Sequence, residues 1–134
     1  MQTILKISEA AAIALHAADY MAGRPGLCSA QDIARGLDVS YNHLSKVLQH
    51  LTKSGYVLAV RGPKGGFTLS PSGLKATVRD IMTALDGPVQ THACLMGAKV
   101  CRHKDCLFGR FLADTNRRFE KVLGQKISEF SRRK

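Results

Sequence analysis

The chain has 134 residues, which is enough for one domain of ordinary size or for one domain with an appendage. Hydrophobic residues make up 45% of it, so a buried core can form and a disordered chain is excluded by composition. There are 20 lysines and arginines against 10 aspartates and glutamates. The resulting net charge of +10 predicts a polyanionic partner, either nucleic acid or an anionic membrane surface.

The N-terminal segment "MQTILKISEAAAIALHAADYMAG" predicts an amphipathic helix from about Ile4 to Met21. Glu9, His16 and Asp19 interrupt its apolar run, so neither a signal peptide nor a membrane span is indicated. The predicted buried side consists of Ile7, Ala11, Ala14, Leu15 and Ala18. We therefore expect a cytoplasmic protein, in which clustered cysteines bind metal or carry redox chemistry more often than they form structural disulfides.

Two short helices joined by a tight turn are predicted next, in the pattern of a helix-turn-helix. Ser29 can cap the first helix, with Asp32 three residues further on to complete a capping box, and Gly36 and Asp38 end it. Ser40 can cap the second helix. Apolar residues recur along this second helix at spacings of three and four and predict one buried stripe: Leu44, Val47, Leu48 and Leu51.

The pattern then changes from helix to strand. Gly55 stands where a helix commonly ends in the left-handed conformation. Tyr56 to Val60 and Phe67 to Ser70 are rich enough in β-branched and aromatic residues to predict two strands. The turn between these strands is supplied by Gly62, Pro63, Gly65 and Gly66. A hairpin directly after a helix-turn-helix predicts a winged helix.

Two further helices are predicted after the hairpin. The first runs from about Lys75 to Leu85 and ends at Gly87 and Pro88. The segment from about Val89 to Cys106 has no strong period and is predicted to be a loop. The last helix runs from about Leu107 to Phe130, and its apolar face predicts a homodimer seam or packing against the chain's own first helix.

The second helix of the helix-turn-helix is the predicted recognition helix, because its outer face is polar and its inner face apolar. Asn and Gln side chains can pair bidentately with adenine in the major groove, and Lys with guanine. Ser and Tyr hydroxyls suit phosphate contacts that fix the register. The predicted DNA-binding residues are Ser40, Tyr41, Asn42, His43, Ser45, Lys46 and Gln49 on this helix, with Arg61 and Lys64 at the hairpin tip.

The stretch "VSYNHLSKVLQHLTKSGYVLAVRGPKGGF" resembles the recognition helix and wing of the IscR/NsrR-type ("Rrf-two") bacterial transcription regulators. The Arg-Gly-x-x-Gly-Gly-aromatic sequence, here Arg61 to Phe67, is its most specific piece, and the resemblance extends over essentially the whole chain. It implies a mainly α fold with a β-hairpin wing: a winged helix-turn-helix plus a long C-terminal dimerisation helix. It also implies a homodimer that binds a roughly palindromic operator in double-stranded DNA. We expect a DNA-binding domain at 1–88, a cysteine-containing cluster loop at 89–106, and a dimerisation helix with a basic tail at 107–134.

Three of the four cysteines lie in the loop, at the spacing C-x6-C-x4-C: Cys94, Cys101 and Cys106. From the residues alone, this spacing leaves open a zinc site and an iron–sulfur cluster. The resemblance implies the cluster, of the 2Fe–2S or the 4Fe–4S type. IscR-like members supply a fourth ligand from a histidine, but Gly109 stands at that position here. In NsrR-like members, an acidic residue in the first helix of the partner subunit is the fourth ligand, and alignment places Glu9 at that position. His92 and His103 are competing candidates.

The expected function is a DNA-binding regulator that senses nitric oxide, redox stress or iron–sulfur status through this cluster. In an alternative without a cluster, the thiols sense oxidants directly, and Cys101 beside Arg102 and His103 is the candidate reactive thiol. A minor alternative is a small iron–sulfur redox protein, although ferredoxin-type clusters use four cysteines. No enzyme is indicated, because the chain shows no glycine-rich phosphate loop at a strand-to-helix junction. Cys28 is predicted to be a small buried residue and not a ligand.

Overall fold

The computed structural model describes residues 7–90 and 106–132. The predicted mainly α fold with one antiparallel hairpin is confirmed. The elements in chain order are α1 (Glu9–Ala22), α2 (Ala30–Leu37), α3 (Tyr41–Lys53), β1 (Val57–Val60), β2 (Gly66–Leu69), α4 (Pro71–Lys75), α5 (Val78–Asp86), α6 (Gly109–Leu123) and α7 (Ile127–Arg132). The predicted start of the first helix at residues 4–6, and most of the cysteine loop, lie outside the described residues.

Helix α1 lies at the centre of the core and packs against α3, α5, α7 and β2. Its alanines allow this close approach on several sides, and those fully buried are Ala11, Ala14, Ala17 and Ala18. Ile7, predicted to lie on the buried side, is instead exposed and precedes the helix. The helix begins later because the Oγ atom of Ser8 accepts a hydrogen bond from the backbone N–H of Ala11 at 3.0 Å and caps it.

Helices α2 and α3 form the predicted helix-turn-helix, and both predicted caps are present. The Oγ of Ser29 accepts from the N–H of Asp32 at 3.0 Å, and the Oγ of Ser40 accepts from the N–H of His43 at 3.1 Å. The carboxylate of Asp32 lies 3.7 Å from Arg35, and not at the capping position that the sequence suggested. The predicted stripe of α3 is buried throughout: Leu44, Val47, Leu48 and Leu51.

The hairpin of β1 and β2 follows directly, within one residue of the predicted strands. Its register runs from Val57 opposite Leu69 to Val60 opposite Gly66. On the other side of β2, Cys28 and Phe67 exchange two backbone hydrogen bonds of 2.7 and 2.8 Å. The connection between α1 and α2 is therefore tied to the hairpin.

Two predicted helices differ in the structure, and one contact explains both differences. The helix predicted from Lys75 begins at Val78 instead, since Thr77 caps α5 in a reciprocal capping box with Asp80, and Lys75 ends the separate short helix α4, which was not predicted. The last helix is interrupted between α6 and α7, where Lys126 forms an antiparallel bridge with Thr77. The N–H of Val78 donates to the carbonyl of Gln125 at 2.9 Å. Backbone groups at both breaks therefore pair with each other instead of continuing their own helices.

The two C-terminal helices have different surroundings. Helix α7 packs against α1, with Ile127 buried and the Oγ of Ser131 donating to the carbonyl of Asp19 at 3.0 Å. The C-terminal end of the chain therefore packs against the chain's own first helix, which is one of the two arrangements expected for the last helix. Helix α6 touches α5 but leaves part of its apolar face open to solvent, namely Phe111 and Val122 together with Phe108, the residue just before the helix. In the described part of the chain, no helix combines the length and apolar character needed to cross a membrane.

Candidate nucleic-acid interface

The exposed side of α3 carries a line of polar side chains opposite its buried stripe. Because steps of three and four residues return an α-helix to almost the same direction, Asn42, Lys46 and Gln49 lie in one line. All three side chains are exposed. Within residues 7–90 and 106–132, none of these three side chains makes a hydrogen bond or an ion pair. Their polar groups are therefore available to an external ligand.

The other predicted residues of α3 lie to the sides of this line. The hydroxyl of Ser40 is used for the helix cap. Tyr41 is exposed on one flank and Ser45 is half-buried beside it. His43 is half-buried on the opposite flank, where its Nδ1 atom lies 3.8 Å from a carboxylate oxygen of Glu9 in α1. The central polar line of α3 is thus distinct from the side chains on its flanks, of which Ser40 and His43 already contact groups within the chain.

Two exposed basic side chains of α3 were missed from the sequence, namely His50 and Lys53. Lys53 follows Gln49 by four residues, so it continues the central line by one helical turn. The spacing of three and four residues that located the buried stripe of α3 could also have identified Lys53 from the sequence. These residues extend the basic surface of α3 toward its C-terminal end.

The hairpin tip presents the two predicted cations on a narrow turn. Arg61 and Lys64 are both exposed. Gly62 has φ +114°, a conformation that side-chain-bearing residues rarely adopt. A Cβ atom at Gly65 would lie 2.1 Å from the carbonyl oxygen of Val60, so the turn closes tightly against its own strand. Two charges are therefore held on a slender projection beside α3.

A buried joint fixes the hairpin to the end of α3. Ser70 is 4% exposed, and its hydroxyl donates to the carbonyl of Gly55 at 2.5 Å. The same hydroxyl oxygen accepts from the N–H of Gly73 at 3.0 Å, and the Ser70 N–H donates to the carbonyl of Tyr56 at 3.0 Å. We therefore treat α3 and the hairpin as one rigid surface, which we call the α3–wing surface.

Two of the four predicted cluster ligands are described by the structure. Cys106 is exposed just before α6, and the Glu9 side chain is 81% exposed in the first turn of α1. Cys94 and Cys101 lie outside the described residues, as do His92 and His103. Among the described residues, no three His, Cys, Asp or Glu side chains come together as a metal site. Both described ligand candidates are open to an incoming group.

Cys28 is buried, as predicted, at 7% exposure beneath the hairpin. Burial raises the pKa of its thiol, and the nearby positive charge of Arg24 opposes that effect only in part. Its thiol therefore stays protonated at neutral pH, and a protonated thiol is a poor metal ligand and nucleophile.

A family model described as "Rrf2: Iron-dependent Transcriptional regulator" matches residues 7–128. The chain belongs to the Rrf2 family. This confirms the resemblance that the recognition-helix and wing sequences suggested. The Rrf2 proteins are transcription regulators and not enzymes, as the sequence also indicated.

A curated relative agrees with this assignment, and solved structures share the fold. The HTH-type transcriptional regulator IscR of Yersinia enterocolitica is 30% identical over 112 residues, which are 83% of this Rrf2 chain and 64% of that protein. "The Structure of CymR (YrzC) the Global Cysteine Regulator of B. subtilis" superposes with TM-score 0.71 at 23% identity, covering 97% of this chain and 98% of that one. "T. potens IscR" superposes with TM-score 0.63 at 24% identity, and the match covers 90% of this chain and 80% of that one. The chain spans between 53% and 66% of the length of the curated relatives it matches.

Replacing Lys64 by alanine should flatten the salt dependence of DNA binding by this Rrf2 protein. If Lys64 contacts one phosphate, the slope of log K against log salt should become less negative by about 0.9. The measurement is fluorescence anisotropy with duplex DNA over a range of salt concentrations. Lys121→Ala, an exposed lysine on α6, is the matched control and should leave the slope unchanged. An unaltered slope in Lys64→Ala would contradict a wing contact.

Proposed function

We propose that this Rrf2 protein is a cytoplasmic, homodimeric transcription regulator that binds double-stranded DNA through the α3–wing surface. The observation that carries the proposal is the line of exposed side chains on α3 that have no partner among the described residues, namely Asn42, Lys46 and Gln49, beside the cations of the hairpin tip. The net charge of +10 favours a polyanion at the same surface. Each subunit contributes one recognition helix, so a two-fold dimer requires a roughly palindromic operator.

The test of DNA recognition is selection from a pool of random duplexes with the purified full chain. We expect enrichment of an inverted repeat whose half-sites are about one helical turn apart, or a multiple of that distance. Binding without enrichment of any sequence would contradict a sequence-specific operator, and enrichment of a single unrepeated site would contradict the dimer.

The exposed apolar flank of α6 supports the homodimer. Phe108, Phe111 and Val122 are all between 43% and 51% exposed, whereas Leu112 and Leu123 of the same amphipathic helix are buried within the chain itself. A second copy of α6 is the partner that the two-fold operator already requires. Packing two such flanks together removes both from water.

For the sensor, we propose that Cys94, Cys101 and Cys106 of one subunit, with Glu9 of the partner subunit, hold a 2Fe–2S or 4Fe–4S cluster. The family's description as iron-dependent supports iron in this protein, and three thiols in one short stretch of chain suit an iron–sulfur cluster. The exposure of Glu9 and Cys106 leaves both donor groups accessible. When bound, such a cluster supplies iron that reacts with nitric oxide or oxidants, and a carboxylate is a weak, replaceable fourth ligand to it. The sensed signal is nitric oxide, redox stress or iron–sulfur status.

A cluster-free thiol sensor is the second candidate. The exposed thiol of Cys106 can be reached by oxidants, whereas the buried Cys28 cannot. Another solved structure of this fold is the "Crystal structure of Staphylococcus aureus CymR oxidized form". In this candidate function, disulfide or sulfenate formation at the loop cysteines replaces cluster chemistry.

The two sensors are distinguished by iron, acid-labile sulfide and zinc per monomer, measured with an absorption spectrum on protein purified without oxygen. Near-equal iron and sulfide in a brown protein are expected for the cluster. A colourless protein without iron or zinc that also resists cluster reconstitution would contradict the cluster and favour the thiol sensor.

Replacing Cys101 by alanine should remove the iron without unfolding the protein. One missing thiolate leaves too few ligands, so we expect iron per monomer to fall at least about tenfold while the variant remains folded and dimeric. Cys28→Ala is the matched control and should keep its iron. An insoluble or monomeric Cys101→Ala variant would show that the loop is structural and would count against the sensor.

A further inference from the structure

Some polar side chains of α3 contact other groups of the chain, and others do not. The Ser40 hydroxyl is used in the cap, and His43 is turned toward Glu9 on the flank. Within the described residues, the exposed Asn42, Lys46 and Gln49 have no such partner, and they share one direction. These three are therefore the side chains of α3 best placed to meet base edges.

The spacing of these side chains limits how many base pairs they reach. At 1.5 Å per residue, Asn42 and Gln49 are separated by about 10.5 Å along the helix axis, with Lys46 between them. Three side chains at a similar spacing on the helix of a zinc finger contact about three successive bases. One α3 helix in a major groove should therefore read three neighbouring base pairs.

The chemistry of each side chain selects a base. The amide of Asn or Gln matches adenine, because its oxygen accepts from the N6 amino group while its nitrogen donates to N7. The lysine ammonium has only donors, which match the two acceptors N7 and O6 of guanine. No other base presents either pattern in the major groove.

We infer that Asn42, Lys46 and Gln49 read three neighbouring base pairs in each half-site, as adenine, guanine and adenine in that order along the groove. This inference depends on the proposed function and extends it to the sequence that the operator must contain. The order follows from the order of the three residues along α3, and each base can lie on either strand.

The neighbouring polar residues have a different role. Lys53 continues the line by one turn beyond Gln49, or about 6 Å further along the axis, and so reaches the phosphate backbone outside the triplet. Tyr41 and Ser45 lie on a flank, where a hydroxyl suits a phosphate. Substitution of these residues should change affinity for all sequences and not the preferred bases.

The test is selection from random duplex DNA with the wild-type chain and two exchange variants, Lys46→Gln and Gln49→Lys. Lys46→Gln should change the preferred base at the middle position from guanine to adenine. Gln49→Lys should change the adjacent position from adenine to guanine, and the two positions should be neighbours. Lys53→Gln is the matched control, since it removes the same charge as Lys46→Gln but should leave all preferred bases unchanged.

A second measurement uses the wild-type protein alone. Replacing the middle guanine of the selected operator by 7-deazaguanine removes the N7 acceptor, and affinity should fall about tenfold or more. The same replacement at a guanine outside the triplet should have little effect.

The outcomes separate this inference from the proposed function. If the wild-type chain enriches an inverted repeat but both exchange variants enrich the same bases as wild type, the inference is wrong and the DNA-binding function stands. A preference that changes at positions that are not adjacent also overturns it. If the wild-type chain enriches no sequence, the proposed function fails and the inference fails with it.

Discussion

Replacing Phe111 by glutamate is expected to convert the proposed dimer into monomers. The ring is 51% exposed on the apolar flank of α6, so the substitution should not disturb the chain's own core. In a two-fold interface each substitution acts twice. Two lost phenyl contacts, at about 2 kcal/mol each, together with two carboxylates in an apolar seam, should raise the dimer dissociation constant by about 1000-fold or more. Affinity for the two-half-site operator should fall with it.

The matched control is Ala113→Glu, which makes the same change of charge on the exposed, opposite side of α6. It should remain dimeric. Sedimentation velocity at micromolar protein concentration measures the association state, and thermal unfolding checks that both variants are folded. A Phe111→Glu variant that is still dimeric would show that this flank is not the seam.

Replacing Gly73 by alanine is expected to cost about 3 kcal/mol or more of unfolding free energy, because a rigid clash cannot relax cheaply in a packed core. A Cβ atom at Gly73 would lie 2.1 Å from the carbonyl oxygen of Tyr56, which is backbone. That carbonyl also accepts the hydrogen bond of Ser70 in the joint between α3 and the hairpin. The substitution should therefore lower operator affinity as well as the unfolding midpoint, although Gly73 itself lies outside the polar line of α3.

Gly124→Ala is the matched control for this prediction. Gly124 ends α6 with φ −81°, and an added Cβ atom would meet its nearest neighbour at 3.6 Å, an ordinary contact. Its unfolding free energy should change by less than about 0.5 kcal/mol. Urea titrations of both variants measure the difference. If the two variants have equal unfolding free energies, the joint between α3 and the hairpin accommodates the added methyl group and the clash relaxes.

Local features of the fold could be predicted from the sequence because short-range chemistry determines them. The caps at Ser29 and Ser40 need only a hydroxyl and a nearby N–H group. The left-handed Gly55, with φ +84°, follows from the helix ending there. The buried stripe of α3 follows from its spacing alone.

The break in the last helix could not be predicted, because its cause is distant in sequence, whereas the start of α5 has a local signal, the capping box of Thr77 and Asp80, that was missed from the sequence. Thr77 and Lys126 pair through backbone groups, and nothing in either segment alone indicates the partner. The apolar spacing of the last helix continues through Gly124 as if the helix did, so the periodicity overstated its length.

The candidate site shows the same division between local and distant causes. The sequence identified the polar face of α3, but it could not separate Asn42 and Gln49, which have no described partners, from His43, which lies beside Glu9 of another helix. The cysteine spacing was visible in the sequence, whereas Glu9 as the fourth ligand followed only from the family resemblance, since Glu9 lies in an element far from the loop. Residues that act through neighbours in space require the fold before their roles can be distinguished.

The bridge between Thr77 and Lys126 makes α6 a lever arm. Together with the ion pair of Arg79 and Glu120, it holds the C-terminal end of α6 on the same body that carries α3. The helix has 15 residues, so it is about 22 Å long, and a tilt of about 10° at this fulcrum displaces its far end by about 4 Å, close to the 3.4 Å rise of one base pair. In the proposed dimer, a tilt of about 10° between α6 and the body that carries α3 therefore displaces this body relative to the far end of α6 by about one base-pair step, which is enough to move its recognition helix out of register with its half-site.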